Sequence, residues 1–139
     1  MSSDQDVYNE LSYYTLAHPD PAFLHQNLVD AYAAQHADES TKPIVIVFGL
    51  IGLYLHIERN FTGKQVQRAH MKLAKRRKKW PQLTQPKNRG AIRVAAVLAA
   101  PPGKERDEMI RNWCASVWEA WKASHDQIRA LLKKELNID

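Results

Sequence analysis

Apolar residues recur along this chain at intervals of three, four and seven positions, which is the spacing that puts them on one face of an α-helix. Helix breakers and capping residues separate the amphipathic segments. Asp20 followed by Pro21 is a preferred helix start, and Thr62 with Gln65 has the spacing of a capping box. The pattern predicts four helices in the first part of the chain: a short one before His18, a second to about His36, a third opened by Ser40 and Thr41 before Pro43, and a fourth from Gly63 to about Lys79.

The clearest amphipathic pattern lies in the last part of the chain. Its apolar residues are Ile110, Cys114, Val117, Trp121, Ile128, Leu131 and Leu132. A helix from Glu105 to Leu136 would be roughly 48 Å long, so a bend or a frayed end is expected. Before it, the prolines and glycines of residues 81–103 predict a loop-rich connection with one short helix over Ile92 to Ala100.

The most apolar segment runs from Ile44 to Ile57 and has fourteen residues, whereas a membrane-spanning helix needs about 20. A buried core helix is expected there, and no transmembrane segment. Residues 44–48 also have the composition of a β-strand, but the length of the run favours the helix. The predicted fold is therefore all-α, a bundle of four to five helices in a single domain over residues 1–139, with a flexible tail at residues 1–5.

Composition supports one globular domain. A chain of 139 residues with 45% hydrophobic and 25% charged residues lies in the ordinary range of such domains. Its first residues are acidic where a signal peptide would be basic, so a cytoplasmic protein is expected. The single cysteine, Cys114, excludes an intrachain disulfide and any multi-cysteine metal site, in agreement with a reducing compartment.

The charged residues are unevenly distributed along the chain, although its net charge is only +5. Residues 1–58 sum to −7, residues 59–104 sum to +13 without one acid, and residues 105–139 sum to −1. A basic segment of that size attracts polyanions such as nucleic acid, anionic lipid or an acidic protein face. Alternatively, the acidic first part of the chain neutralises it, either within one molecule or between the subunits of a homodimer.

The predicted fourth helix carries this positive charge on one face, opposite an apolar face. Like charges stacked one turn apart repel each other, which favours a compensating partner, and the alternative is that the face is simply solvated. The candidate anion-binding residues are Lys64, Arg68, Lys72, Lys75, Arg76 and Lys79. No helix-turn-helix pair, zinc finger or aromatic RNA-binding strand is evident in the sequence. We therefore predict a non-enzymatic interaction protein that binds nucleic acid or an acidic protein surface through charge.

Histidines supply the other candidate chemistry. His25, His56 and His125 lie on apolar faces of three predicted helices, which is the arrangement of a divalent-metal or small-ligand site inside a bundle, and such a site could support an enzyme. The alternative is that they are core histidines bonded to their neighbours. Cys114 and His125 are about 16 Å apart along one helix, too far for a nucleophile and its base. No catalytic residue is predicted.

Three segments together resemble an uncharacterised family of small stand-alone bacterial proteins, a domain of unknown function. They are ELSYYTLAHPDPAFLHQNLVDAYAAQ at residues 10–35, KPIVIVFGLIGLYLHIERN at residues 42–60 and WCASVWEAW at residues 113–121. This resemblance implies a bacterial protein and transfers no activity, cofactor or partner. The helical layout with interior histidines is also similar to that of the metal-dependent DinB-like bundles. It lacks their His-x-x-x-His pair, because His56 is followed four residues later by Asn60.

Overall fold

The regular secondary structure of the described residues is entirely helical. The structure, a computed structural model, describes residues 3–18, 20–76 and 79–138, and within these ranges it contains seven α-helices, one 3-10 helix and no strand. The elements are α1 (Asp4–Ala17), α2 (Leu24–Gln35), α3 (Pro43–Arg59), α4 (Gly63–Arg76), α5 (Val94–Ala99), α6 (Lys104–Ala120), the 3-10 helix (Lys122–Ser124) and α7 (His125–Leu136). The all-α prediction is confirmed, whereas the predicted number of four to five helices is too low.

The sequence predicted one long helix at the end of the chain, but the structure has two there, α6 and α7. This break adds one helix to the predicted count. The backbone oxygen of Trp118 accepts a bond from the amide of Trp121 at 3.1 Å. It also accepts from the ring Nε2–H of His125 at 2.8 Å, while that ring stacks on the Trp118 indole with 3.6 Å between the centroids. Because a side chain from beyond the turn binds this carbonyl, the regular helical hydrogen bonds stop after Ala120.

The central helix is α3, which contacts α2, α4, α6 and α7. Pro43 occupies its first turn, where the missing amide hydrogen costs nothing. Most of residues 46–55 are buried, so this helix is apolar all round, and residues 44–48 are helical rather than a strand. Two glycines let α2 approach closely. An ideal Cβ at Gly52 would lie 1.8 Å from Asp30 Oδ2, whereas one at Gly49 would lie 3.2 Å from the Asp30 backbone oxygen.

The start of α2 differs from its prediction. The carboxylate of Asp20 accepts from the amides of Ala22 at 3.0 Å and Leu24 at 2.6 Å. These bonds hold a separate turn over the residues that the sequence predicted as the first turn of the helix. Phe23 then adopts φ +59°, and α2 begins only at Leu24.

The start of α1 lies inside the predicted tail. Ser3 Oγ accepts from the amide of Asp6 at 3.1 Å, and the Asp6 carboxylate accepts from the Ser3 amide at 3.4 Å. This reciprocal capping box starts the helix at Asp4. Residues 1 and 2 of the predicted tail lie outside the described residues.

Two buried tryptophans fix α6 against α2. Trp113 Nε1 donates to Gln35 Oε1 at 3.0 Å, and Trp121 Nε1 donates to the backbone oxygen of Ala34 at 3.2 Å. Both indole N–H groups are therefore satisfied inside the core. The Gln35 amide also donates to the backbone oxygens of residues 89 and 92, which holds the loop before α5. None of the helices in the described ranges is long and apolar enough to span a membrane.

Candidate functional site

Helix α4 is amphipathic, as its sequence predicts. Its start has the predicted capping box, in which the amide of Thr62 donates to Gln65 Oε1 at 2.8 Å and the amide of Gln65 donates to Thr62 Oγ1 at 3.2 Å. Val66, Ala69 and Leu73 are buried on the inner face. The basic side chains therefore lie on the opposite, solvent-facing side of the helix.

All six predicted anion-binding residues are exposed. Five of them lie on α4: Lys64, Arg68, Lys72, Lys75 and Arg76. Lys79 is also exposed but lies beyond the last described turn, since α4 is described only to Arg76. The predicted extension of the helix to Lys79 passes through residues 77 and 78, which lie outside the described residues.

Three of these cations line a groove between α4 and the end of α7. Arg68, Lys72 and Arg76 form one wall, and the other wall includes Lys134. The groove has a volume of about 480 Å³, and its apolar lining consists of Phe61, Ala69, Leu136 and Ile138. Arg76 Nη1 donates to the backbone oxygen of Glu135 at 2.6 Å and so joins the two walls. We call this feature the basic groove.

Sequence reasoning missed the contribution of Lys134. Lys133 and Lys134 occupy the last turn of α7, where cations complement the negative end of the helix dipole. In the sequence, this interaction with the helix dipole is enough to explain why both lysines occur there. Only the packing of α7 beside α4 shows that Lys134 also extends a basic surface built by another helix.

Acids from the first part of the chain are bound elsewhere. The carboxylate of Asp4 contacts His36 at 2.9 Å and Arg93 at 3.3 Å, and the hydrogen bond from His36 lowers the pKa of Asp4. The other acids with defined roles hold turns, lie in the core or contact α7; they are Asp20, Asp38, Asp30 and Glu58. The acidic first part of the chain therefore does not cover the basic groove.

The central cations of α4 remain without an acidic partner. In the ranges that the structure describes, no ion pair involves Lys64, Arg68, Lys72 or Lys75. Lys64 lies over the ring of Phe23, with Nζ 5.7 Å from the centroid, which is a weak cation–π contact. The positive face is therefore open to solvent.

The three histidines predicted as metal ligands each contact a different neighbour. His25 Nδ1 lies 2.9 Å from Thr15 Oγ1, His56 Nδ1 lies 3.0 Å from the backbone oxygen of Phe61, and His125 contacts Trp118 as described above. Burial lowers the pKa of His25 and of His56. The described residues contain no group of three or more His, Cys, Asp or Glu side chains that could hold a metal ion. The structure thus does not bring these histidines together.

Cys114 is a core thiol. It is fully buried, and this burial raises its pKa well above the ordinary value of a thiol. Its Sγ–H donates to the backbone oxygen of Asn27 at 3.5 Å. A protonated, enclosed thiol is a poor nucleophile, in accord with the sequence-based rejection of a Cys114–His125 pair.

With the helical fold and the basic groove defined, comparison with known proteins identifies the family. The chain belongs to the Family of unknown function (DUF5946), whose model matches residues 4–122. This confirms the resemblance to an uncharacterised family. No curated protein and no solved structure matches the chain.

Proposed function

We propose that the protein binds nucleic acid through its phosphate backbone in the basic groove, and that it is an interaction protein. The supporting observation is that Arg68 and Lys72 of α4 line an open groove without an ion pair in the part of the chain that the structure describes. An internal acidic partner would remove the need for an external one, but Asp4 and Glu58 pair with other groups, and no described acid of residues 1–58 lines the groove.

The spacing of the cations suits a repeating anion. Lys64, Arg68, Lys72 and Arg76 follow one another at four-residue steps, so one positive charge occurs about every 6 Å along the helix. Their mutual repulsion is relieved when phosphates approach, and the release of counterions from the nucleic acid adds to the affinity. The guanidinium groups of Arg68 and Arg76 can each donate two parallel hydrogen bonds to a phosphate.

The apolar lining favours nucleic acid over an acidic protein surface. Phe61, Leu136 and Ile138 lie beside the cations in the same groove. A single strand offers phosphates on one side and flat, apolar base faces on the other, which is the combination that such a groove binds. Binding of this kind depends on charge and shape and is expected to be tolerant of base sequence.

Fluorescence anisotropy with a labelled single strand of about 20 nucleotides tests this proposal. Four phosphate contacts at about −0.7 each give an expected slope of about −3 for log K against log salt. The variant with Arg68→Glu and Lys72→Glu is expected to lose at least about tenfold in affinity, because it replaces two contacts with repulsion. A duplex of the same sequence measures the preference for single strands.

A matched control variant carries Lys87→Glu and Lys104→Glu, which are exposed positions away from the groove. It has the same net charge as the test variant and is expected to bind nearly as well as the unmodified protein. Equal losses in both variants, salt-independent binding, or no binding at low salt would each overturn the proposal. Light scattering that shows a dimer dissociating at high salt would instead assign the acidic partner to a second copy of the chain.

A further inference from the structure

Phe23 holds a backbone conformation that an aromatic residue rarely adopts. Its φ of +59° lies in the left-handed region, where the other non-glycine residues in the described ranges are Asn60 and Asn137. Asparagine tolerates this region at helix ends, whereas phenylalanine is strained there because its Cβ crowds the following carbonyl oxygen. The surrounding structure must therefore hold Phe23 in place.

Hydrogen bonds and close packing fix the turn that contains Phe23. The carboxylate of Asp20 accepts from the backbone amides on both sides of Phe23. The backbone oxygen of Ala22 accepts from the amide of Lys64 at 3.1 Å. The backbone oxygen of Phe23 lies 1.8 Å from where a Cβ of Gly63 would stand, so only glycine fits at this contact. The turn is thus attached firmly to the start of α4.

The ring of Phe23 does not serve the hydrophobic core. Phe23 is half-buried, and in the described part of the chain it is not among the partly buried apolar side chains that pack against the core, as Phe48 and Phe61 do. Two polar groups lie beside its ring: Lys64 Nζ is 5.7 Å from the centroid, and the ring of His25 is tilted at 6.0 Å between centroids. Core packing therefore does not explain why the fold holds this ring in a strained turn.

The Phe23 ring lies at one end of the row of cations on α4. Lys64 begins this row, which continues through Arg68 and Lys72 into the basic groove. From Lys64 to Arg76 the row extends about 18 Å along the helix axis. A strand whose phosphates follow the row brings one of its bases to the ring beside Lys64, and aromatic rings beside cations are what proteins use to bind single strands.

We propose that Phe23 is a base-stacking residue, whose ring stacks on an unpaired base of the strand that binds the cations of α4. This inference rests on the proposed nucleic-acid binding, and it adds that the strand is single at the Phe23 end. In a duplex the flat face of each base is covered by its neighbours, so only an unstacked base presents a face to the ring. Lys64 is free to turn to a phosphate, because its distance from the ring is long for a cation–π contact.

Two strands, one with bases and one without, separate stacking from charge. The probes are a thymidine strand of about 12 nucleotides and an abasic strand of the same length and backbone, both measured by fluorescence anisotropy. Phe23→Ala is expected to weaken binding of the thymidine strand about tenfold and to leave binding of the abasic strand unchanged. Its dependence on salt is expected to match that of the unmodified protein, because the phosphate contacts are kept. Phe23→Tyr keeps an aromatic ring and is expected to keep the affinity.

Tyr13→Ala is the matched control, since Tyr13 is an exposed aromatic residue on α1 that does not line the basic groove. It is expected to bind both strands as the unmodified protein does. A further test needs no variant. On irradiation, a strand of 5-iododeoxyuridine is expected to cross-link to Phe23, and mass spectrometry of the digested protein locates the linked residue.

The outcomes distinguish this inference from the proposed function. Salt-dependent binding that Phe23→Ala leaves unchanged, equal losses for the thymidine and abasic strands, or cross-links at other residues alone would overturn the stacking role of Phe23 and leave the basic groove as the binding site. If the unmodified protein binds neither strand in low salt, both the proposed function and the role of Phe23 are wrong.

Discussion

At the scale of single residues, the closest approach in the core depends on Gly52. Its missing side chain gives room to the carboxyl group of Asp30, with Oδ2 only 1.8 Å from where a Cβ would stand. Asp30 is enclosed, and burial raises its pKa well above the usual range of an aspartate. The side chain cannot move to solvent without separating α2 from α3, so an added methyl group forces the helices apart.

We therefore expect Gly52→Ala to destabilise the fold by about 3 kcal/mol, measured as the free energy of unfolding in urea. Gly49→Ala is the matched control on the same helix. There the added Cβ meets its nearest atom at 3.2 Å, and the gain in helix propensity of about 1 kcal/mol offsets the crowding. A combined Asp30→Ala and Gly52→Ala variant should be more stable than additivity predicts. Similar stabilities for both glycine variants would contradict this account.

These residues also show what the sequence can predict at this scale. Gly49 and Gly52 are visible in the sequence as small residues within an apolar helix, and in the structure they are where α2 approaches α3 closely. The sequence also predicted a role for His56, as a metal ligand together with His25 and His125. In the structure the Nδ1–H of His56 donates instead to the backbone oxygen of Phe61, beyond the end of α3. Asn27 lines one cavity with His56 and is buried, and it carried no signal because an asparagine in a helical pattern is ordinarily a solvent-facing residue.

At the scale of helices, Glu58 joins three elements. On α3, its carboxylate accepts from Trp118 Nε1 of α6 at 2.6 Å and from Arg129 Nη2 of α7 at 2.8 Å. Partial burial opposes its ionisation, but the bonds from Arg129 and Trp118 outweigh that effect and lower its pKa. The ionised carboxylate is thus the form that holds α6 and α7 against α3.

We expect Glu58→Ala to lower the free energy of unfolding by about 1–2 kcal/mol at pH 7, because it leaves the Trp118 N–H unpaired and removes a partly screened ion pair. Asp126→Ala is the control, since Asp126 contacts the same arginine at 3.4 Å but is fully exposed and lies on the same helix as Arg129. It should leave the free energy of unfolding nearly unchanged, because a fully exposed ion pair is screened by water and salt. Equal effects of the two variants in urea unfolding would show that Glu58 does not join the helices.

Element boundaries were predictable where local chemistry sets them and not where packing does. The capping box at Thr62 and Gln65 and the first-turn Pro43 of α3 are local signals, and α4 starts as predicted. Helix α3 starts at Pro43, but its capping position is Lys42, whereas the predicted Ser40 and Thr41 bind Asp38 in the preceding turn. The break between α6 and α7 is different, because apolar residues keep their helical spacing across it. It depends on the contact of His125 with the Trp118 carbonyl, which exists only once the turn has formed.

At the scale of the whole molecule, the segregation of charge survives folding. The sequence predicted either an external partner for the basic helix or an internal acidic one, and it could not choose between them. The choice depends on where the acids lie in space, and Asp4, Glu58 and Asp30 each contact groups away from α4. The candidate residues of α4 were thus identifiable from the sequence, whereas the groove shared with α7 required the packed structure.

Stability of the whole fold should also depend on pH through half-buried histidines, and His70 is the strongest case. Its Nε2–H donates to the backbone oxygen of Phe48 at 2.8 Å, and its ring stacks on that of Phe48 at 4.6 Å between centroids. Burial lowers the pKa of His70 from 6.5 to about 4. The unfolded chain therefore takes up a proton at this residue before the folded protein does.

The resulting stability is fully present above pH 6.5 and is lost as pH falls from 6.5 towards 4, because only the unfolded state is protonated in that interval. We expect a loss of the order of 2 kcal/mol from His70, with part of the ring still solvated. Urea unfolding of His70→Gln at several pH values should show a shallower decline than the unmodified protein. Met71→Gln, at the exposed neighbouring position, should keep the original decline. Parallel curves for His70→Gln and the unmodified protein would show that another group controls the acid sensitivity.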